Sequence, residues 1–446
     1  MNKARSGHLR TTITLAFLAA TLGCSEPDPV IELYTNESEP APWEPDGTLD
    51  LDLFPSGVQI TDVTSQSALI ALRTEATRVD LLLQRGSAQQ WLELRRTSGF
   101  SPAQGKMLHH TLSNLEPDTP YSLVFYTDNR TRRSRVTRFR TAPTHSQSRV
   151  LRFGATSCLG KLVPSLPTLS RAAEARLDFM LFAGDTVYAD GSGSLNDYRR
   201  TWRQTFETQG MRDLSSSTSI ITTWDDHEII NDWTWDKYDD SQRFENARTA
   251  YLEALPIREE TIWRKRSWGK TLDVLVLDSR GERRNGNYLS INQMEWLKTE
   301  LLTSRARFKI ILNSVPITDM RNVLGTLAIG DRWQGFPQQR IELLNFIEDH
   351  DIEGVFFIGG DFHYGQIAQV SPPGEPGSKL WEVLVGPGGS LVNPFLLTAP
   401  EYDEQFKLFV GAHTYTYFEA NPQTGKILVR YINDQGESLG ERTLQL

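Results

Sequence analysis

From Arg149 onward, continuous apolar strands alternate with segments of helical periodicity, and polar residues follow each apolar strand directly. Strands that are apolar throughout are typical of a sheet covered by helices on both faces, so this pattern predicts an α/β fold. The polar endings are TSC (156–158), GDTVYAD (184–190), WDDHEIIND (224–232), LDSR (277–280), LNS (312–314) and GGDFH (359–363). Because ligands of open α/β sheets bind outside the carboxyl ends of strands, we expect these six endings to form one site.

The residue types at these endings favour a metal site. They include a thiol, a phenol, several carboxylates and two of the eight histidines, His227 and His363. Carboxylates that converge without cations would repel one another and raise their own pKa values, so we expect two or more cations here. Hard oxygen ligands favour Ca²⁺, Mn²⁺, Mg²⁺ or ferric iron over an all-imidazole zinc site.

The N-terminus, MNKARSGHLRTTITLAFLAATLGC, has a basic start and an apolar run over 11–22 that is too short to span a membrane. We interpret residues 1–24 as a signal peptide. The ending TLGC is similar to a bacterial lipoprotein box, and this similarity implies acylation of Cys24, export, and anchoring to the cell envelope, at the periplasm or outer membrane. Ordinary cleavage nearby is the alternative. An acylated Cys24 could not pair with Cys158, the only other cysteine, and in an exported protein that favours a metal ligand or nucleophile.

The segment between these two regions predicts a linker and a small domain. Residues 25–50 are rich in Pro, Glu and Asp and are expected to form an extended acidic linker. Residues 51–143 contain short strands, and LEPDTPYSLVFY (115–126) resembles the tyrosine-corner segment of fibronectin type III domains. We therefore predict an all-β fibronectin type III-like domain at 51–143 and a catalytic domain at 148–446. The net charge of -9 argues against sequence-specific binding of nucleic acid, and we expect a monomer.

The motifs stand in an order that is characteristic of one family. A cysteine, then GDxxY, WDDHExxN and GDxH resemble the alkaline phosphatase D family of calcineurin-like metallophosphoesterases, which is related to the purple acid phosphatases. The phrases RFRTAP (138–143), LDSR (277–280) and DRWQGFP (331–337) agree with family phrases. The resemblance covers essentially all of the predicted mature chain. It implies a metallophosphoesterase β-sandwich flanked by helices and preceded by the fibronectin-like domain.

The resemblance also implies a set of metal ligands. For a ferric ion, Fe³⁺, it implies Cys158, Asp185, Tyr188 and His363. For a second position, occupied by one or two Ca²⁺ ions or alternatively by Mn²⁺, Mg²⁺ or Zn²⁺, it implies Asp185 as the bridge, with Asp361. A further ligand to this position is Asp226 or Asn231, and the motif WDDHE leaves both assignments open.

The implied reaction is hydrolysis of a phosphate ester by metal-activated hydroxide. His227 is expected to protonate the leaving oxygen or to stabilise charge on it, next to Asp226. Arg280 and Asn313 are candidates to contact the other phosphate oxygens. Two departures stand out: Asn313 stands where the wider superfamily has a histidine, and Gln334 replaces a family acid.

Three functions are compatible with the sequence. The first is a phosphomonoesterase and phosphodiesterase that acts outside the cytoplasm. The second is a phospholipase-like or other diesterase for a large substrate, such as phospholipid, teichoic acid or extracellular nucleic acid. The third is a surface binding protein without catalytic activity.

Overall fold

Three β-sheets and the helices around them make up the described part of the chain, which in this computed structural model comprises residues 42–87, 90–102, 107–160, 162–324, 328–393 and 404–446. The strands are β1 (Thr48–Leu49), β2 (Gln59–Thr61), β3 (Ala68–Arg73), β4 (Val79–Gly86), β5 (Trp91–Phe100), β6 (Met107–Leu112), β7 (Pro120–Thr127), β8 (Arg132–Arg133), β9 (Thr137–Arg140), β10 (Leu151–Thr156), β11 (Phe179–Ala183), β12 (Ser219–Thr223), β13 (Arg264–Trp268), β14 (Leu272–Val276), β15 (Phe308–Leu312), β16 (Val355–Gly359), β17 (Gly365–Gln369), β18 (Trp381–Leu384), β19 (Phe406–Val410), β20 (Tyr415–Asn421), β21 (Lys426–Ile432) and β22 (Ser438–Gln445). The helices are α1 (Pro167–Glu174), α2 (Leu195–Phe206), α3 (Gln209–Ser215), α4 (Trp235–Tyr238), α5 (Ser241–Ala254), α6 (Ile291–Thr303), α7 (Arg321–Leu324) and α8 (Pro337–Asp349). The predicted signal peptide with Cys24, and residues 25–41 of the predicted linker, lie outside the described residues.

The N-terminal part is all-β, as its short alternating strands predict. One sheet has the order β1–β8–β7–β4–β5, with β9 also paired to β7, and β2, β3 and β6 pair antiparallel in a second sheet. The Tyr121 hydroxyl accepts a hydrogen bond from the Glu116 backbone N–H at 2.7 Å, which is the contact of a tyrosine corner. The folded part begins ahead of residue 51, because Thr48–Leu49 pairs in parallel with Arg132–Arg133.

The two larger sheets form the layers of the catalytic part. Their orders are β22–β21–β20–β10–β11–β12–β2–β3–β6 and β13–β14–β15–β16–β18–β17–β19. Strands β10, β11 and β12 are parallel in the first sheet, and β14, β15, β16 and β18 are parallel in the second. The carboxyl ends of six of these strands, all except β18, supply the loops that carry the predicted site.

The core lies between these two sheets. Phe153 of β10 stacks on Phe179 of β11 and on Phe418 of β20, with ring centroids 5.0 and 4.8 Å apart, and Phe356 of β16 approaches from the other sheet. A second cluster packs α6 and α8 against the outer face of the second sheet through side chains such as Leu297. The predicted α/β class and the sandwich flanked by helices are confirmed.

One arrangement was not predicted: the N-terminal strands continue the first catalytic sheet. Strand β2 pairs in parallel with β12 through Thr61 and Ile220. Buried residues of the N-terminal strands, such as Ile60 and Phe125, belong to the same contiguous cluster as the core between the large sheets. In the residues that the structure describes, none of the helices has both the length and the apolar character needed to cross a bilayer.

Candidate metal centre

The first group of candidate ligands combines a thiol, a carboxylate and an imidazole. Cys158 follows β10, Asp185 follows β11 and His363 follows β16, and one ligand atom from each lies within 4.8 Å of the others. Tyr188 joins this group, because its hydroxyl lies 3.2 Å from Asp185 Oδ2 and 3.1 Å from His363 Nε2. The four residues that the resemblance assigns to ferric iron therefore converge on one point.

A second group consists of carboxylates and shares Asp185 with the first. Single oxygens of Asp185, Asp225, Asp226 and Asp361 lie within 4.8 Å of one another. Asp185, Asp226 and His227 form a third group under the same limit. Asp185 belongs to all three groups, which is the position that a ligand bridging two cations would occupy.

Burial makes this cluster unfavourable without added positive charge. Burial, and then the nearby carboxylates of Asp225 and Asp226, raise the pKa of Asp185 and of Asp361 well above the ordinary range. Burial and the carboxylate of Asp185 do the same for the pKa of the Cys158 thiol. Asp185 Oδ1 and Asp225 Oδ2 are buried without a hydrogen-bond partner in the described structure. Since unpaired buried carboxylate oxygens are costly, the residues present fit a pair of bound cations.

The loop backbone at these residues has an uncommon conformation. Cys158, Asp185, Asp361 and His363 all have positive φ angles, of 52°, 54°, 67° and 58°. Such angles are unfavourable for residues other than glycine and cluster at functional sites. Four candidate ligands therefore occupy backbone positions that the surrounding fold has to stabilise.

Both glycines that precede the strand-end aspartates allow close packing. A Cβ atom at Gly184, which has a φ of +86°, would lie 2.6 Å from the Asp225 Cβ. A Cβ atom at Gly360 would lie 2.6 Å from the Ser157 side chain. A side chain at either position would displace the neighbouring strand end, so the GD pairs at Asp185 and Asp361 depend on glycine.

The two histidines are oriented by hydrogen bonds on one ring nitrogen. His363 Nδ1 contacts the Leu391 carbonyl at 2.7 Å and therefore carries the proton, so its Nε2 lone pair faces Asp185 and Tyr188. His227 Nδ1 contacts Asp190 at 2.8 Å. Burial opposes protonation of His227, but the hydrogen bond to Asp190 and the charge of Asp185 raise its pKa to about 10.

Comparison with known proteins places this arrangement in a family. The model of the PhoD-like phosphatase family matches residues 153–435, from β10 to the turn before β22, which is more than half of the chain. The chain belongs to the PhoD-like phosphatase family. The N-terminal strands β1 to β9 lie outside the matched residues.

Individual relatives agree with this membership. The chain is 24% identical to alkaline phosphatase D of Bacillus subtilis over 323 residues, which cover 60% of this chain and 55% of that protein. It therefore spans about half the length of this curated relative. A solved structure of PhoD is similar in fold, with a TM-score of 0.74, 20% identity, and coverage of 91% of this chain and 90% of that one. A purple acid phosphatase from yellow lupin (Lupinus luteus) has a TM-score of 0.65, 16% identity, and coverage of 88% and 75%.

In this PhoD-like chain, two important residues were missed by the sequence analysis. Glu228 is fully buried, and its carboxylate accepts the backbone N–H groups of Asp185, Thr186 and Asp225 at 3.1, 2.5 and 2.8 Å. It therefore holds the loops after β11 and β12 together. Asp190 orients His227 and also accepts the Asn231 backbone N–H at 2.8 Å. Both residues lie inside the polar endings, which was the available signal.

Arg280, for which a contact with phosphate oxygens is predicted, lies beside the carboxylate group, and that contact stays a prediction. Arg280 is fully buried, its Nε donates to Asp225, and its Nη1 donates to Asp331 at 2.9 Å. Its Nη2 lies 3.8 Å from Asp226. The guanidinium thus faces three carboxylates, because a buried charge requires compensation, and it neutralises the cluster from within the protein.

The predicted contact of Asn313 with phosphate oxygens also stays a prediction, and the structure shows the protein partners of this side chain. Its side chain is fully buried, Oδ1 accepts from the Tyr288 hydroxyl at 2.8 Å, and Nδ2 donates to the Val315 carbonyl. These contacts explain why a polar residue ends β15, and they give Asn313 a structural role in the loop. Gln334 bonds to Asp319 and to the Met320 backbone.

The structure also bears on the alternative between Asp226 and Asn231. Asp226 is 4% exposed and lies within the carboxylate group, whereas the Asn231 side chain is exposed. The Asn231 backbone is bound to Asp190 and to the Tyr238 hydroxyl. This geometry favours Asp226 as the ligand.

Proposed function

We propose that this chain is a metal-dependent hydrolase of phosphoric esters that acts on monoesters and diesters outside the cytoplasm. The observation that carries the proposal is the position of Asp185 in three overlapping groups of ligand atoms. Membership of the PhoD-like phosphatase family and the fold of a purple acid phosphatase support the same chemistry. Cys24 as a lipid anchor, and the domain limits 51–143 and 148–446, belong to the proposal as well.

The donor sets differ, which supports different cations. The thiol of Cys158, the phenol of Tyr188, the carboxylate of Asp185 and Nε2 of His363 would hold Fe³⁺, which favours the ionised thiol and phenol. The oxygens of Asp185, Asp226 and Asp361 would hold Ca²⁺ or another hard divalent cation. Bound together, such cations supply Lewis acidity for the phosphate oxygens and activate water.

The chain's own residues supply the remaining chemistry. Asp185 holds both ligand groups at a fixed separation, and Glu228 fixes the backbone of Asp185. His227 stacks on Tyr188 with ring centroids 4.1 Å apart, and Asp190 fixes its Nδ1. Its Nε2 is therefore positioned to give a proton to the leaving oxygen of the ester.

The test is elemental analysis combined with rate measurements on the form that starts at Ser25. We expect about one iron per chain, together with calcium, and hydrolysis of small monoesters and diesters. Asp185→Asn should lose both metals and reduce kcat/KM by about 10³-fold, since charge stabilisation by metals is worth several kcal/mol. Asp273→Asn is the matched control, because Asp273 of β14 is also buried. Its carboxylate accepts a hydrogen bond from the Ser304 hydroxyl at 2.7 Å and belongs to none of the ligand groups.

Two outcomes would contradict the proposal. A metal-replete preparation that is folded but hydrolyses no ester would favour the surface binding protein. Equal metal content and turnover in Asp185→Asn and Asp273→Asn would remove Asp185 from the metal centre.

A further inference from the structure

Two exposed leucines flank the candidate metal centre. Leu162 is 61% exposed and Leu391 is 65% exposed, and both line one open pocket together with Tyr188 and His363. Single exposed leucines are common on protein surfaces and need no explanation. Two of them line one pocket beside candidate metal-binding residues. This arrangement indicates an apolar surface for contact with a bound molecule.

Hydrogen bonds hold these leucines in place relative to the metal ligands. The Leu391 carbonyl accepts from His363 Nδ1 at 2.7 Å, so its position is coupled to that of the imidazole. The neighbouring Ser390 N–H donates to the Cys158 carbonyl at 3.0 Å. The Val163 N–H, next to Leu162, donates to the Gly389 carbonyl at 3.2 Å. The leucines therefore belong to loops that are bonded to each other and to two candidate ligands.

The proposed proton donor lies on the same side. Asp190, which orients His227, lines this pocket, and Tyr188 of the pocket stacks on the His227 ring. An ester whose leaving oxygen faces His227 would extend its alcohol part into the pocket. Gly191 leaves room there, since a Cβ atom at this position would meet no heavy atom within 4 Å.

We propose that Leu162 and Leu391 form an apolar wall that binds the alcohol part of the substrate. The enzyme then prefers phosphate esters in which the alcohol part is an alkyl or aryl group. This inference rests on the proposed hydrolysis of phosphate esters at the adjacent metal centre.

The test uses straight-chain alkyl phosphates from ethyl to hexyl, whose leaving groups have similar intrinsic reactivity. Full burial of a methylene is worth about fourfold in binding, and a wall on one side gives about half of that effect in free energy, or about twofold per methylene. Hexyl phosphate has four more methylenes than ethyl phosphate, so its kcat/KM should be roughly 15-fold higher. In the double variant Leu162→Ser/Leu391→Ser the rise should fall to about twofold or less. The rate with ethyl phosphate is measured for each protein separately and serves as the reference for that protein's dependence on chain length.

A surface leucine outside the pocket provides the matched control. Leu302 of α6 is 56% exposed, and Leu302→Ser should keep the full dependence on chain length. Inhibition of ethyl phosphate hydrolysis by 1-hexanol relative to ethanol is a second readout that requires no turnover of a long-chain ester, and it should weaken only in the double variant. A soluble short-chain phosphatidylcholine tests whether the apolar group belongs to a lipid diester or to a simple ester. Faster turnover of this lipid than of hexyl phosphate assigns the wall to lipid diesters. Slower turnover assigns it to simple esters.

The outcomes separate this inference from the proposed function. Hydrolysis of ethyl phosphate without any dependence on chain length, or the same dependence in the double variant, would overturn the apolar wall and leave the phosphatase intact. Absence of hydrolysis for every ester would overturn the proposed function and the wall with it.

Discussion

Glu228 is the side chain on which the geometry of the candidate metal centre depends most directly. Its Oε2 accepts from the backbone N–H groups of Asp185 and Asp225, and its Oε1 accepts from that of Thr186. A single carboxylate thereby fixes the loops after two neighbouring strands. We predict that Glu228→Gln and Glu228→Ala weaken both folding and metal binding.

The expected magnitudes follow from these three contacts. Burial raises the pKa of Glu228 to about 8, so unfolding is compared above that pH, where the carboxylate is charged. A hydrogen bond to a charged group contributes about 1.5–3 kcal/mol, and an orphaned buried donor costs about 1–3 kcal/mol. A glutamine can keep its oxygen at the position that accepts two donors, so only the Thr186 contact is lost and the cost is about 2–3 kcal/mol. An alanine at Glu228 orphans all three donors and should cost about 5 kcal/mol.

The assay separates stability from metal affinity. Unfolding in urea is followed in the presence of a chelator, because bound metal would itself stabilise the folded state. Metal affinity is then measured by titration of the folded protein, and we expect about a 10- to 100-fold loss for Glu228→Gln, as is typical when a group that orients ligands is removed.

A second buried glutamate provides the control. Glu382 of β18 is fully buried and accepts the backbone N–H groups of Ile317 and Thr318 at 2.9 and 2.8 Å. Glu382→Gln should therefore lose a similar 2–3 kcal/mol of stability without changing metal affinity. If both glutamine variants bound metal equally well, the reasoning that assigns a positioning role to Glu228 would be wrong.

Three further predictions concern other parts of the chain. Cys158→Ser should reduce iron binding by about 10- to 100-fold with calcium retained, and the fully buried thiol of the folded wild-type protein should not react with a thiol reagent in solution; loss of both metals would contradict the assignment to one position. Arg280→Ala should lower the free energy of unfolding by about 3–5 kcal/mol, because Asp225 loses its buried partner, and it should raise KM for a small ester, because the cluster gains one net negative charge; an unchanged free energy of unfolding would contradict the pairing with Asp225. Tyr121→Phe should cost about 1–2 kcal/mol in urea unfolding through the lost Glu116 contact and leave turnover unchanged, and a drop in turnover would show that the N-terminal sheets affect the site.

The location of the site was predictable because the strand endings carry both the topology and the chemistry. Parallel strands place their carboxyl ends at one edge of a sheet, and an apolar strand that ends in GD or DDH is visible in the sequence. The structure brings Cys158, Asp185 and His363 together from three such endings. The converging side chains belong to short motifs at the strand ends. The location of the site could therefore be predicted without knowing how the intervening helices pack.

The roles within each ending were harder to predict. The string WDDHE contains three carboxylates, and the sequence does not say that Asp226 faces the cluster whereas Glu228 turns towards backbone N–H groups. That division of roles depends on which loop lies opposite WDDHE. The contacts of Glu228 with Asp185 and Thr186 join residues about forty positions apart in the chain. The pairing of β2 with β12 was hidden for the same reason, since a parallel contact between two predicted domains leaves no local pattern.

Charge explains why Arg280 lies inside the protein and bears on the proposed metals. Six groups of the cluster can carry a negative charge: Cys158, Asp185, Tyr188, Asp225, Asp226 and Asp361. The Arg280 guanidinium, bound to Asp225, offsets one of them, and a protonated His227 offsets another. Bound cations would neutralise the negative charge that remains, which would otherwise repel a phosphate ester. Arg280 thus contributes by offsetting part of the negative charge that the proposed metals have to balance.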